Sequence, residues 1–252
     1  MTLIMLASAG FVRPTLADPI DYTRGHTDIS PVVSGGLLVG NWRNDQAALP
    51  GPEWIPAAGV LALGIFDPDS TDPSVVAPPL PRPSGSQWDF FGVAAGEPLY
   101  ILPSTGIPSS LPYIGWATES PTLVGHGFDH VRITLTAMAA PVGGNFSLYT
   151  TSSIISMATA NGISAADTIT LTLGEHRHFN MAFTQPGSYD LTFAFEGLNG
   201  STGPVIMTGG DTYRFEIQAV PEPGTVALAA AGLAGLAAFA RRRRGSRGST
   251  AC

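Results

Sequence analysis

The sequence predicts a mainly β protein, an antiparallel β-sandwich with long Pro/Gly-rich loops and a single C-terminal apolar helix. Three observations carry that expectation. Gly and Pro supply 30 and 22 of the 252 residues, which interrupts helices too often for a bundle. Only 12% of residues are charged against 44% hydrophobic, so disorder driven by excess charge is excluded. Between Asp18 and Val220 apolar residues recur with period two rather than 3.6.

The alternation is clearest in the second half. Val131, Ile133 and Leu135 alternate with Arg132, Thr134 and Thr136, and Ile169, Leu171 and Leu173 with threonines. Tyr189, Leu191, Phe193 and Phe195 form a third series, and Tyr213, Phe215 and Ile217 a fourth. Each puts one face on a core and the other in water. Pro141-Val142-Gly143-Gly144, Gln185-Pro186-Gly187 and Gly209-Gly210-Asp211 read as turns. In the first half, Val32–Val39, Val60–Phe66 and Leu99–Leu102 read as strands, and Asp67–Ser86 as a long loop inside one domain spanning 18–219.

All 12 basic residues are Arg, and five of them fall at 241–244 and 247. Residues 18–220 hold 6 Arg against 18 acidic residues, a formal charge of −12. An acidic body repels phosphate backbones, so nucleic acid is not an expected partner. The one cysteine, Cys252, offers no intrachain disulfide, and some 200 residues are enough for a core without one.

The two ends read as targeting segments. Met1–Ala17 has a short apolar run, Leu3–Ala7, and small residues at Thr15 and Ala17, the pattern of a truncated signal peptide. It has no basic start and carries Arg13, so a disordered N-terminus is the competing reading. At the other end, Pro221-Glu222-Pro223 precedes an uncharged stretch, Thr225–Ala240, and then Arg241, Arg242, Arg243 and Arg244. Sixteen helical residues span about 24 Å, slightly less than a hydrocarbon core of ~30 Å, and the arginines would stop the helix on the cytoplasmic side. Residues 245–252 form a basic tail.

The order of these elements over 220–244 resembles the PEP-CTERM sorting signal of exported bacterial proteins. The resemblance implies that an exosortase, a membrane-embedded cysteine protease, is the partner and processes the tail after translocation. The protein would sit in the inner membrane before processing and at the cell surface or in extracellular matrix afterwards.

Candidate chemistry is sparse. His176-Arg177-His178 would place two imidazoles on one strand face, with Asn180 continuing that face and Phe179, Met181 and Phe183 on the core side. Such a pair can share zinc or copper, and His26 is the best third ligand. The competing reading is a solvated strand holding no metal. His126 and His130 lie in a glycine-rich turn and read as loop residues, and Asp67, Asp69 and Asp72 lack the Gly and Glu of a calcium loop. Trp42, Trp54, Trp88 and Trp116 could line a carbohydrate or exopolysaccharide platform. Gly-x-Ser-x-Gly, a phosphate-binding glycine loop and H-E-x-x-H do not occur, so the protein is not expected to be an enzyme.

The segments Gly25–Ile29, Leu111–Trp116, Pro141–Tyr149 and His176–Tyr189 together resemble the choice-of-anchor M domain of bacterial surface proteins. The most specific part is H-x-H followed by Phe183-Thr184-Gln185-Pro186-Gly187 and Tyr189. Met181 stands where relatives tend to have Trp. The resemblance implies a surface-anchored β domain. In related actinobacterial proteins a similar short domain accompanies transporter clusters suspected of handling metals.

Overall fold

The computed structural model describes residues 18–44, 46, 48–72, 76–105 and 110–220. The expected N-terminal signal, the sorting tripeptide, the expected apolar helix and the arginine cluster lie outside the described residues.

Sixteen strands are formed among the described residues: β1 (Ile20–Tyr22), β2 (Gly25–Ser34), β3 (Leu37–Arg43), β4 (Trp54–Pro56), β5 (Val60–Phe66), β6 (Leu80–Pro81), β7 (Pro98–Leu102), β8 (Pro112–Ala117), β9 (His130–Ala139), β10 (Phe146–Thr151), β11 (Ile154–Ala158), β12 (Thr168–Thr172), β13 (His176–His178), β14 (Asn180–Phe183), β15 (Gly187–Leu198) and β16 (Val205–Ala219). The larger sheet has eleven strands along the path β12-β9-β15-β16-β3-β2-β8-β13, with β4 on β3 and β5 bridging β1 and β16. The smaller sheet runs β11-β10-β14-β7-β6.

One hydrophobic core joins the two sheets. Phe183 of the smaller sheet packs on Tyr189 and Phe215 of the larger, with ring centroids 4.8 and 5.6 Å apart, and Tyr100 meets Phe66 edge-on at 5.3 Å. The period-two series behave as expected. Tyr189, Leu191, Phe193 and Phe195 are all buried, as are Val131, Ile133 and Leu135. Burying each such side chain contributes about 1.5–3 kcal/mol.

The larger sheet is mixed rather than antiparallel. β2 pairs parallel with β8, and β5 pairs parallel with both β1 and β16. Sequence periodicity reports which residues face inward and carries no information on strand direction. Two further expectations are corrected. Val32–Val39 is not one strand: Gly35 (φ 59°) and Gly36 (φ 80°) turn it into the hairpin joining β2 and β3, a two-residue loop that needs positive φ at both positions. Gly209-Gly210-Asp211 is no turn but the middle of β16. A Cβ on Gly209 would overlap the Leu38 carbonyl, and one on Gly210 would lie 2.5 Å from the Phe193 carbonyl oxygen. Here glycine serves close packing of neighbouring backbones.

Candidate metal centre

β2, β8 and β13 lie side by side at one edge of the larger sheet, so Gly25–Ile29, Leu111–Trp116 and the start of His176–Tyr189 are neighbours in space. The register puts Asp28 opposite Gly115 and Gly115 opposite His178. His26, Asp28, Tyr113, Gly115, His176 and His178 therefore share one face of these strands, while Ile29 and Trp116 share the other and enter the core.

Local hydrogen bonds fix that register. The buried Tyr22 hydroxyl donates to the Gly25 carbonyl at 2.6 Å and accepts from the Tyr113 N–H at 3.1 Å, tying β2 to β8 beside His26. Burial drives its pKa far above the ordinary tyrosine value, so it stays a neutral donor. At the other end, the Ser30 hydroxyl donates to the Ala117 carbonyl. The Thr118 hydroxyl donates to the Thr172 carbonyl, and the Gly174 N–H donates to the Thr118 carbonyl, holding the turn that delivers β13.

His26, His176 and His178 come together. Their ring centroids are 5.1, 5.2 and 4.8 Å apart, and one nitrogen of each lies within 4.8 Å of the others. A tetrahedral ion with ~2.0 Å bonds holds its ligand atoms about 3.3 Å apart, so small ring movements would close the set. His26 is buried, and the His176 side chain is 27% exposed. His178 stacks on Tyr113 at 4.2 Å and its Nδ1 lies 3.2 Å from the Ile114 carbonyl, leaving Nε2 for a ligand bond. Burial, and after it the neighbouring His176 and His26, hold the His178 pKa below the usual histidine value. The neutral ring required by a metal is therefore the favoured form at neutral pH.

Sequence reasoning missed the carboxylate in the middle. Asp28 is wholly buried, and Oδ1 lies 3.2 Å from His26 Nε2 and 2.9 Å from His176 Nε2. Neither carboxylate oxygen has a hydrogen-bond partner, and neither has His176 Nε2. Arg43 stands on the far side, with Nη1 3.9 Å from Asp28 Oδ2, and also pairs with Glu119 and Glu53. Glu119 Oε2 is 3.6 Å from His176 Nδ1. The available signal was His26-x-Asp28, the same two-residue spacing as His176-x-His178. Gly115 gives no such signal. A Cβ there would lie 2.5 Å from His176 Nε2 and closer still to Asp28 Oδ1, so only glycine leaves the space open.

The other expected positions do not join the cluster. The strand ends before Phe179, and Asn180 starts β14 in the smaller sheet, where its side chain accepts from the Ser104 N–H and donates to the Thr150 carbonyl. His176 and His178 thus do not continue their face to Asn180, because the buried Phe179 carries the chain from one sheet to the other. His126 is exposed in its loop and stacks on Phe128, and His130 pairs with Asp129 at 2.8 Å. Trp42 and Trp116 are core residues. Trp54 lies under the Arg43 guanidinium at 5.8 Å, and Trp88 packs with Phe90, Phe91 and Tyr149. The four tryptophans therefore form no shared exposed platform.

Residues 219–244 match the model of the PEP-CTERM protein-sorting motif. The C-terminal segment is a PEP-CTERM sorting motif. A PEP-CTERM tail makes this an exported protein, sorted to the cell envelope and surface in an exosortase-dependent way. No curated protein matches the chain. Among solved structures, the N-terminal domain of PorA is similar at 16% identity and a TM-score of 0.22, over 38% of this chain and 68% of that one; a likeness at that score supports no conclusion about fold or function. Deleting residues 221–244 is expected to remove the PEP-CTERM address altogether. Fractionation and immunoblotting should then show loss of the surface-associated protein and of any exosortase-dependent change in mass.

Among the described residues no helix is long and apolar enough to cross a membrane.

Proposed function

We propose that the exported body is a non-enzymatic surface protein that holds one transition-metal ion, zinc or copper, between His26, His176 and His178. The supporting observation is convergence. Three imidazoles from segments 150 residues apart in the chain keep a nitrogen within 4.8 Å of one another, on strands whose register is fixed by backbone pairing. Neutral imidazole suits both ions. The sorting tail complements this reading: its uncharged stretch 225–240 would retain the protein in the inner membrane until exosortase acts, and the body then works outside the cell.

The test is the metal content of the purified full-length protein beside the double variant His176→Ala/His178→Ala. After incubation with each ion and desalting, elemental analysis is expected to give about one zinc or copper per parent chain and none in the variant. Equal content in both, or none in either, overturns the reading.

A further inference from the structure

Resting on that metal reading, we propose that Asp28 is the fourth ligand. The centre is then a closed His₃Asp shell that takes a borderline divalent ion, zinc foremost, and discriminates against Cu(I).

Asp28 is wholly buried, neither oxygen has a hydrogen bond, and the one guanidinium near it reaches only to 3.9 Å of Oδ2; folded proteins complete the pairing of such charges or give them to metals. Asp28 Oδ1 lies 3.2 and 2.9 Å from two imidazole nitrogens without forming a hydrogen bond to either. Those separations are close to the ~3.3 Å between neighbouring ligand atoms on a tetrahedral zinc ion. Gly115 adds an independent observation, since any side chain at that position would fill the space that Asp28 and His176 face.

Asp28, Glu119 and His176 form a second set of possible ligand atoms. That set already has its cation. The Arg43 guanidinium is paired with Glu119 and stands on the Oδ2 side of Asp28, which leaves Oδ1 directed at the imidazoles. Glu119 therefore belongs to the ion-pair network and Asp28 to the metal.

The charge and hardness of Asp28 set the selectivity. One carboxylate leaves a divalent ion in this shell with a single net positive charge, whereas three neutral imidazoles would leave two in a largely buried site. Carboxylate oxygen suits zinc and other divalent ions, while Cu(I) prefers softer donors and gains little from it.

The experiment uses metal-free full-length protein titrated with Zn(II), and with Cu(I) under reducing conditions, each against a competing chelator. The chains are wild type, Asp28→Asn, Glu119→Gln and His176→Ala/His178→Ala. Asp28→Asn should weaken Zn(II) by at least about 100-fold and leave Cu(I) within about threefold, and Glu119→Gln should leave both within about threefold. Unchanged zinc affinity in Asp28→Asn, or equal losses for the two ions, overturns the assignment. If instead the double histidine variant binds like wild type, or wild type binds neither ion, the metal reading itself fails. Should Asp28→Asn not fold, the infrared difference spectrum of wild type with and without zinc decides the matter. A zinc-induced shift of a carboxylate stretch that persists in Glu119→Gln is expected, and its absence overturns the proposal.

Discussion

A single methyl group at position 115 should cost the protein its metal. In Gly115→Ala the new Cβ would lie 2.5 Å from His176 Nε2 and closer still to Asp28 Oδ1, and the buried Asp28 cannot retreat cheaply. Asp28 is on a central strand paired through seven residues to β3, and β8 itself lies between two partners. The overlap should destabilise the metal-free protein by about 1–3 kcal/mol, the usual cost of overfilling a packed site. The larger effect is on binding. Separating Asp28 from His176 misplaces two ligand atoms at once, so zinc affinity is expected to fall by at least about 100-fold. Competition titration reads the affinity and thermal unfolding of the metal-free chain reads the stability. Wild-type affinity in Gly115→Ala would mean that the ion does not occupy this space.

Trp42→Ala should cost the metal-free protein more stability than Gly115→Ala does. Trp42 is fully buried, with the rings of Tyr22, Tyr213 and Phe215 around it at 5.9, 5.2 and 6.1 Å, and it opposes Ile29 and Ile55 on the strands either side of β3. Truncation leaves a large cavity under the middle of the sheet, at a cost of about 3–5 kcal/mol. In a body of this size that corresponds to a fall in Tm of about 6–20 °C. Trp42→Phe is the informative companion. The indole Nε1 has no hydrogen-bond partner, so phenylalanine removes an unsatisfied donor while keeping most of the ring. Its loss should be less than half that of alanine, with differential scanning calorimetry of the two variants as the measurement.

Inward and outward positions were legible in the sequence wherever a strand has one face on the core. Tyr189, Leu191, Phe193 and Phe195 are the clearest case, and Val60–Phe66 is reproduced residue for residue as β5. Strand direction and order were not legible, since the pairing of β2 with β8 joins residues nearly ninety apart and leaves no local trace. At the site, the H-x-H spacing and His26 were readable because imidazoles are rare and chemically distinctive. Asp28 was overlooked although it repeats the two-residue spacing from His26, because one carboxylate among eighteen acidic residues carries little information until its burial is known. Gly115 was invisible for the opposite reason: its contribution is the absence of atoms. Glycines 209 and 210 misled in the same way, because a glycine that admits a neighbouring backbone is written with the same letter as one that turns the chain.

The distance along the chain between His26 and the pair on β13 has a consequence for life outside the cell. An exported chain with a single cysteine has no internal disulfide. An ion shared by His26 and His176 closes a loop of 150 residues, and by the chain-entropy rule used for disulfides a closure of that length removes about 5 kcal/mol of unfolded-state freedom. It also fastens the short edge strand β13 to β2 across β8, at a sheet margin where fraying would otherwise begin. The loaded protein would then carry a reversible staple, closed where the metal is plentiful and open where it is scarce, so that its resistance to extracellular proteases would follow the supply of the ion.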